Sequence, residues 1–452
     1  MDKMNQRINY LKKQPLSFQN RKMTSLSFLN LLTILAVFLL LTETLSAQEL
    51  PRRVQIGLAM QPVENGVQIT FAPEHQPAGM AGMLEGDIIR SIDGEPVTSQ
   101  LDVIEKLRNE RPPSLRFSVE RNGREEVVTV HPQEVPLLDH PDFEFHYGVV
   151  ETDDGTLRRT IIRKPHGDGP FPTIVMLGGI GCYSLDSREG VAYIDMLNEL
   201  ASTGYLTYWV EKSGMGDSQG TPCMEINFDT ELSGYRAGLS QVRTMSDVDQ
   251  NRVILLGHSM GGLTGPILAS ETDEPLHAII AMSTFGVPWF EYLIANSRRQ
   301  VHFSDLSLSE IENRMSETVK VHYMYTIEKK SPEEILKIFP DRAGSFNLPH
   351  HYSYFQQVAD YKPLDLWSRT GEAQALLIAG GADYVVSIDE HKYVVDNLNN
   401  LRPGSAKFIF IEDMDHGLRF ARDQQAARAG ESGAFHSELV PAIINWLESI
   451  DD

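Results

Sequence analysis

Hydrophobic and polar positions follow two different rhythms along the chain. Up to about residue 135 the pattern is that of short, half-buried strands. Asn65-Gly66 turns into Val67-Gln68-Ile69, and runs at 115–120 and 126–130 flank the turn Asn122-Gly123. Residues 101–109 carry apolar Leu101, Ile104 and Leu107 at helical spacing. Pro132, Pro136 and Pro141 then mark a linker. Two runs at 143–151 and 157–164 flank Asp153-Asp154-Gly155 and read as an antiparallel hairpin. Beyond it, mainly apolar runs recur at 173–177, 206–210, 253–256, 278–282, 375–379 and 407–411. Segments of helical pattern at 190–202 and 230–243 separate several of them. That alternation predicts an α/β fold: a doubly wound, mostly parallel sheet covered on both faces, preceded by a small β-rich domain. The stretch between 278–282 and 375–379 is too long for a simple crossover. Helical patterns at 289–299, 307–329, 332–339 and 352–360 mark it as an inserted lid over about 286–370. The domain plan is therefore 48–135 and 136–452.

The first 47 residues differ from both. Lys3, Arg7, Lys12, Lys13, Arg21 and Lys22 precede an apolar run from Phe28 to Leu41, and Leu45-Ser46-Ala47 ends in a small residue. This order reads as a signal peptide cleaved before Gln48, and hence as a periplasmic or secreted protein. The alternative is an uncleaved membrane anchor. The run is short for a membrane span, so no stable span is expected after signal removal. The formal charge of −22 argues against nucleic acid and anionic membranes as partners.

Candidate chemistry centres on Gly257-His258-Ser259-Met260-Gly261-Gly262, which follows the apolar run 252–256 and precedes a helix-compatible run at 263–270. Strand, G-x-S-x-G, helix is the context of a nucleophile elbow. The serine needs a sharp turn to project its hydroxyl, and glycines two residues to either side avoid a clash across that turn. A serine hydroxyl is a weak nucleophile without a base, and the base needs an orienting acid. Asp383 follows the buried run 376–379 and a Gly-rich turn, and His416 follows the run 408–411. Asp389, Asp413 and Asp415 are alternative partners for His416. No H-E-x-x-H and no clustered Cys/His spacing occurs, so neither a metal nor another cofactor is expected.

With Ser259, Asp383 and His416 in this order, residues 143–452 resemble the α/β-hydrolases that carry a lid insertion. The resemblance implies catalysis by these three residues. It also implies an oxyanion hole formed by the amide of Met260 and by Gly178-Gly179-Ile180, with Ile180 as the donor and Gly179 as its alternative. The segment 211–220 resembles the glycine-rich turn found beside the active site of such hydrolases. Cys182 and Cys223 each lie just beyond one of these loops, which leave the same end of neighbouring strands. They are expected to form a disulfide, the alternative being two buried thiols. The other histidines, His350 and His351 included, read as surface or lid residues.

Residues 48–135 resemble the PDZ domains of bacterial periplasmic proteases, through Pro77-Ala78-Gly79-Met80-Ala81-Gly82-Met83, Gly86-Asp87-Ile88-Ile89 and Ile92-Asp93-Gly94. That resemblance implies a groove taking a peptide C-terminus, with its carboxylate at Gln55, Ile56, Gly57 and Leu58. Alternatively, the module packs on its neighbour without binding a ligand. The combined reading is an exported serine hydrolase acting on a small acyl substrate, an ester or thioester first. A peptidase supplied with peptide C-termini by the PDZ domain is the second reading, and a non-catalytic binding protein the third. Trp289, Phe290, Tyr292, Tyr323, Tyr325, Tyr352, Tyr354 and Phe355 either line an acyl pocket or hold the lid together.

Overall fold

The computed structural model describes residues 50–187 and 191–451. The expected signal peptide and its cleavage point lie outside the described residues. Among the described residues, no helix is long and apolar enough to cross a membrane.

The first module comprises β1 (Val54–Gln55), β2 (Ala59–Val63), β3 (Gly66–Phe71), β4 (Ile88–Ile92), β5 (Glu95–Pro96), β6 (Leu115–Arg121), β7 (Arg124–Val130) and β8 (Gln133–Glu134), with helices α1 (Pro77–Met80) and α2 (Gln100–Glu110). Its main sheet has the order β2-β3-β4-β6-β7, so β2 is an edge strand. Val67, Ile69, Ile89, Phe117 and Val119 fill the core. The predicted face of α2 is only partly the buried one. Val103 enters the core, whereas Leu101 is 63% and Ile104 41% exposed. Helical spacing identifies a stripe, but what the stripe faces depends on where β2 leaves a groove.

The second module holds β9 (Phe143–Glu151), β10 (Leu157–Pro165), β11 (Phe171–Leu177), β12 (Leu206–Val210), β13 (Val248–His258), β14 (Ala278–Met282), β15 (Gln374–Gly380) and β16 (Ala406–Ile411). They form one sheet in the order β16-β15-β14-β13-β11-β12-β10-β9. From β12 to β16 every pairing is parallel, while β9 and β10 form the predicted antiparallel hairpin. Ile254, Leu255, Leu256, Ile279 and Ile280 are buried, as central parallel strands with two covered faces require. Strand order reverses between β11 and β13, and the crevice at the carboxyl ends of such strands is where this architecture places ligands. Both the Gly178 loop and Ser259 leave their strands there.

The covering helices include α3 (Ala192–Ser202), α4 (Phe228–Val242) and α5 (Gly261–Glu271). The insertion between β14 and β15 contributes α6 (Trp289–Val301), α7 (Leu308–Thr326), α8 (Pro332–Leu336), α9 (Ser353–Val358) and α10 (Pro363–Ser368). Ser307 and Glu310 form a capping box at the start of α7, satisfying amides the helix leaves open. Trp289, Tyr292, Tyr325, Tyr354 and Phe355 are buried in one apolar cluster with Met260 and Leu263. The Trp289 ring lies 4.8 Å from Tyr292 and 5.8 Å from Phe355. Most of the insertion's aromatic side chains therefore hold it against the elbow helix.

Candidate active site

Ser259 has φ 55°, in the left-handed region, and its amide donates to Met282 O at 2.9 Å. The elbow glycines are required by space. A Cβ on Gly257 would lie 2.1 Å from Gly261 O, and one on Gly261 would lie 2.0 Å from Leu177 O. The Ser259 hydroxyl is 3.2 Å from His416 Nε2, and His416 Nδ1 is 2.9 Å from Asp383 Oδ2. The other Asp383 oxygen accepts from the amides of Val385 and Val386 at 2.8 and 3.1 Å. The alternative acids are engaged elsewhere. Asp413 pairs with His436, Asp415 accepts from the Arg419 amide, and Asp389 lies in the first turn of the helix that Ser387 caps, α11 (Ile388–Leu401).

Burial works against the charged forms of both His416 and Asp383. Their mutual attraction and hydrogen bond outweigh it, so His416 is raised above the ordinary histidine value and Asp383 held below the ordinary carboxylate value. The imidazole is thus suited to receive a proton while the acid stays ionised.

The loop after β11 is tied down amide by amide. Gly178 donates to the Tyr235 hydroxyl at 3.1 Å, Gly179 to the Tyr193 hydroxyl at 3.2 Å, and Gly181 to His350 Nε2 at 3.2 Å. Among the described residues, the amides of Ile180 and Met260 have no protein acceptor. Gly179 serves by its smallness: a Cβ there would lie 3.1 Å from Ser259 Cβ. Cys182 and Cys223 are joined in a disulfide, which anchors the far end of this loop to the segment beyond β12. Their sulfurs and His350 lie within 4.8 Å of one another, but joined sulfurs offer no thiolate pair to a metal.

His350 meets the sequence expectation in its place in the chain but not at the surface. It does come from the insertion, yet it is buried and reaches back to Gly181, with Nδ1 donating to Cys223 O at 2.8 Å. His351 is exposed. Nothing in the sequence marks Tyr193, Tyr235, His258 and Lys212 as site residues, because each is an ordinary polar residue in an apolar neighbourhood until the fold converges them. The one available signal is a lysine two residues past the buried strand β12, in Glu211-Lys212-Ser213-Gly214. Gly214, Gly216 and Gly220 all have positive φ, making 211–220 the tight loop expected.

In the first module, Gly57 has φ 70° and Ile56 O accepts from the Ala78 amide at 2.9 Å. Gln55, Ile56, Gly57 and Leu58 line one end of a cleft of about 470 Å³, with Met60 of β2 and Ile104 and Leu107 of α2 along it. Arg53, Arg108 and Arg111 add positive charge, and Met215–Ser218 of the second module form part of the wall. The modules are clamped beside this cleft. Asp217 accepts from Arg52 at 3.0 Å, Arg159 at 3.0 Å and the Arg53 amide at 2.8 Å, while Arg52 also pairs with Asp186.

Residues 54–131 match the family model for PDZ domains, and residues 187–329 match the model described as serine aminopeptidase, S33. The chain joins a PDZ domain to an α/β-hydrolase domain. The hydrolase match runs from ahead of α3 to just past α7, and so includes the elbow. The chain is 24% identical over 290 residues to esterase EstD of Thermotoga maritima, covering 63% of this chain and 64% of that protein. It is 27% identical over 123 residues to quorum-quenching protein AidA of Acinetobacter baumannii, covering 27% and 38% respectively. The chain thus spans less than two thirds of the length of either curated relative. Among solved structures, Est1E from Butyrivibrio proteoclasticus with ferulic acid bound aligns with a TM-score of 0.44 and 14% identity, covering 67% of this chain and 99% of that one.

Proposed function

We propose that the protein is an exported serine hydrolase that cleaves a carboxylic ester or thioester through an acyl-Ser259 intermediate. The observation that carries this reading is the continuous hydrogen-bonded line from Ser259 Oγ through His416 to Asp383. His416 Nε2 takes the hydroxyl proton as Oγ attacks the acyl carbon, and the developing oxyanion is received by the amides of Ile180 and Met260. The protonated imidazole returns the proton to the leaving oxygen or sulfur. A water then repeats the sequence, releasing the acid and restoring the hydroxyl. The esterase among the relatives favours ester chemistry, and the apolar packing around Met260 suits an apolar acyl group. The disulfide favours an oxidising compartment, in line with export.

A fluorophosphonate probe tests the reading. We expect labelling of the wild type and none of Ser259→Ala. No labelling of the folded wild type, or labelling that survives the substitution, sinks it.

Two observations favour a peptidase as the second reading: the aminopeptidase family model and the cleft of the PDZ domain. In that case the cleft holds a peptide C-terminus, with the carboxylate at residues 55–58 near Arg108 and Arg111 and an apolar side chain against Ile104 and Leu107. Side-by-side rates on p-nitrophenyl esters, acyl thioesters and aminoacyl-p-nitroanilides separate the readings. A non-catalytic PDZ binding protein is the outcome if none of these substrates turns over.

A further inference from the structure

We propose that Lys212 is a positioning residue that strengthens the oxyanion donor Ile180 through the peptide group that joins Gly179 to Ile180. This inference rests on the hydrolase reading above. The amide of Ile180 and the carbonyl of Gly179 belong to one peptide group. That carbonyl accepts two hydrogen bonds, from Lys212 Nζ at 2.6 Å and from the Tyr183 hydroxyl at 3.1 Å. Lys212 is buried, and its ammonium also pairs with buried Glu231 Oε1 at 2.9 Å and lies 4.8 Å from the centre of the Tyr183 ring. Glu231 in turn accepts from the Tyr354 hydroxyl at 2.7 Å, which gives the pair a further anchor in the insertion.

A cation on a peptide oxygen draws electron density from the nitrogen and makes the N–H a stronger donor. Hydrogen bonds in such chains polarise one another, most strongly where water is excluded. Here every neighbouring amide of the loop is already committed to Tyr235, Tyr193 or His350, while that of Ile180 has no protein acceptor among the described residues. The polarisation is therefore directed at one free donor. The contacts of Lys212 are with the Gly179 carbonyl, Glu231 and the Tyr183 ring, so it acts by orienting and polarising the peptide group that presents the Ile180 amide.

The test uses saturation kinetics on p-nitrophenyl butyrate and inhibition by an alkyl trifluoromethyl ketone, whose adduct with serine carries an oxyanion. Lys212→Met is expected to lower kcat on the order of tenfold or more, short of the roughly 10²- to 10³-fold loss for deleting an oxyanion donor. The ketone should weaken in parallel while KM stays within about threefold, the pattern of an interaction made only in the transition state. Tyr183→Phe should lower kcat by a smaller, roughly few-fold, factor. The double variant Lys212→Met/Glu231→Gln removes both buried charges, and its kcat should remain as low as that of Lys212→Met. A kcat within twofold of wild type in Lys212→Met, or its recovery in the double variant, overturns the proposal. If both lysine variants fail to fold, Tyr183→Phe decides: unchanged kcat and ketone affinity overturn it. A wild type that neither turns over ester nor labels with fluorophosphonate fails the hydrolase reading instead.

Discussion

His258 Nε2 donates a 2.7 Å hydrogen bond to the backbone carbonyl of His416. The residue before the elbow serine therefore holds the loop that carries His416. With Nε2 donating, Nδ1 of the neutral ring accepts from the Tyr193 hydroxyl, and that hydroxyl receives the Gly179 amide. One imidazole thus links the elbow, the His416 loop and the Gly178–Gly181 loop.

His258 is expected to make stability fall with acid. Burial, aided by the nearby His416, lowers its pKa to about 3. Between its ordinary value of 6.5 and about 3 the unfolded chain takes up a proton that the native state does not. Stability should therefore be fully present above pH 6.5 and decline as pH falls, by up to about 1.4 kcal/mol per pH unit from this group. Half-buried His322, lowered to about 4, adds to the same slope. Urea midpoints at pH 7, 6 and 5 measure it. His322→Leu should flatten the dependence, and an unchanged slope would show that His322 contributes nothing.

The acid limb of activity should lie above pH 6.5, because His416 must be neutral to accept the serine proton and its pKa is raised. Activity is then lost as pH falls through that raised value. Asp383→Asn removes the charge responsible, so the limb should move down while kcat drops roughly 10⁴-fold. A kcat–pH profile of both proteins checks the direction.

Replacing both cysteines by serine should lower stability by about 4 kcal/mol in the chain-entropy model for a separation of 41 residues. Activity should suffer less, roughly a few-fold, because Tyr235, Tyr193 and His350 still tie the loop amides, each bond being worth about 1 kcal/mol. Chemical denaturation and ester turnover on the same variant separate the two effects.

Asp217→Ala should cost about 3–5 kcal/mol, since it leaves Arg52 and Arg159 beside a vanished carboxylate. Arg52 also holds the linker, donating to Val135 O and Pro136 O at 2.8 and 3.0 Å. Limited proteolysis should accordingly find new cleavage near residues 132–141 in Asp217→Ala. Cutting at the wild-type rate would show that the ion pairs do not fasten the PDZ domain.

The strand runs, the elbow and the order Ser259, Asp383, His416 were legible because each is a local matter. Apolar runs in the central strands are buried on both faces, although Phe410 of edge strand β16 stays 47% exposed, and a serine on a sharp turn needs its glycines within two residues. The choice of Asp383 over Asp389, Asp413 and Asp415 was not local, as it depends on which carboxylate the sheet brings to His416. Residues 101–109 show the same limit. Their spacing specified a helix, but the exposure of Leu101 and Ile104 follows from the groove beside β2.

By itself the sequence determined a β-rich module joined to a mostly parallel α/β sheet, and the serine elbow with its candidate acid and histidine. Only the tertiary structure decided which loop amide stays free, that His350 reaches from the insertion to Gly181, and that Lys212 meets the Gly179 carbonyl. The physical reason is that hydrogen bonds in a dry crevice are made between residues far apart in the chain. Their partners are chosen by strand order and packing, and neither periodicity nor spacing records that choice.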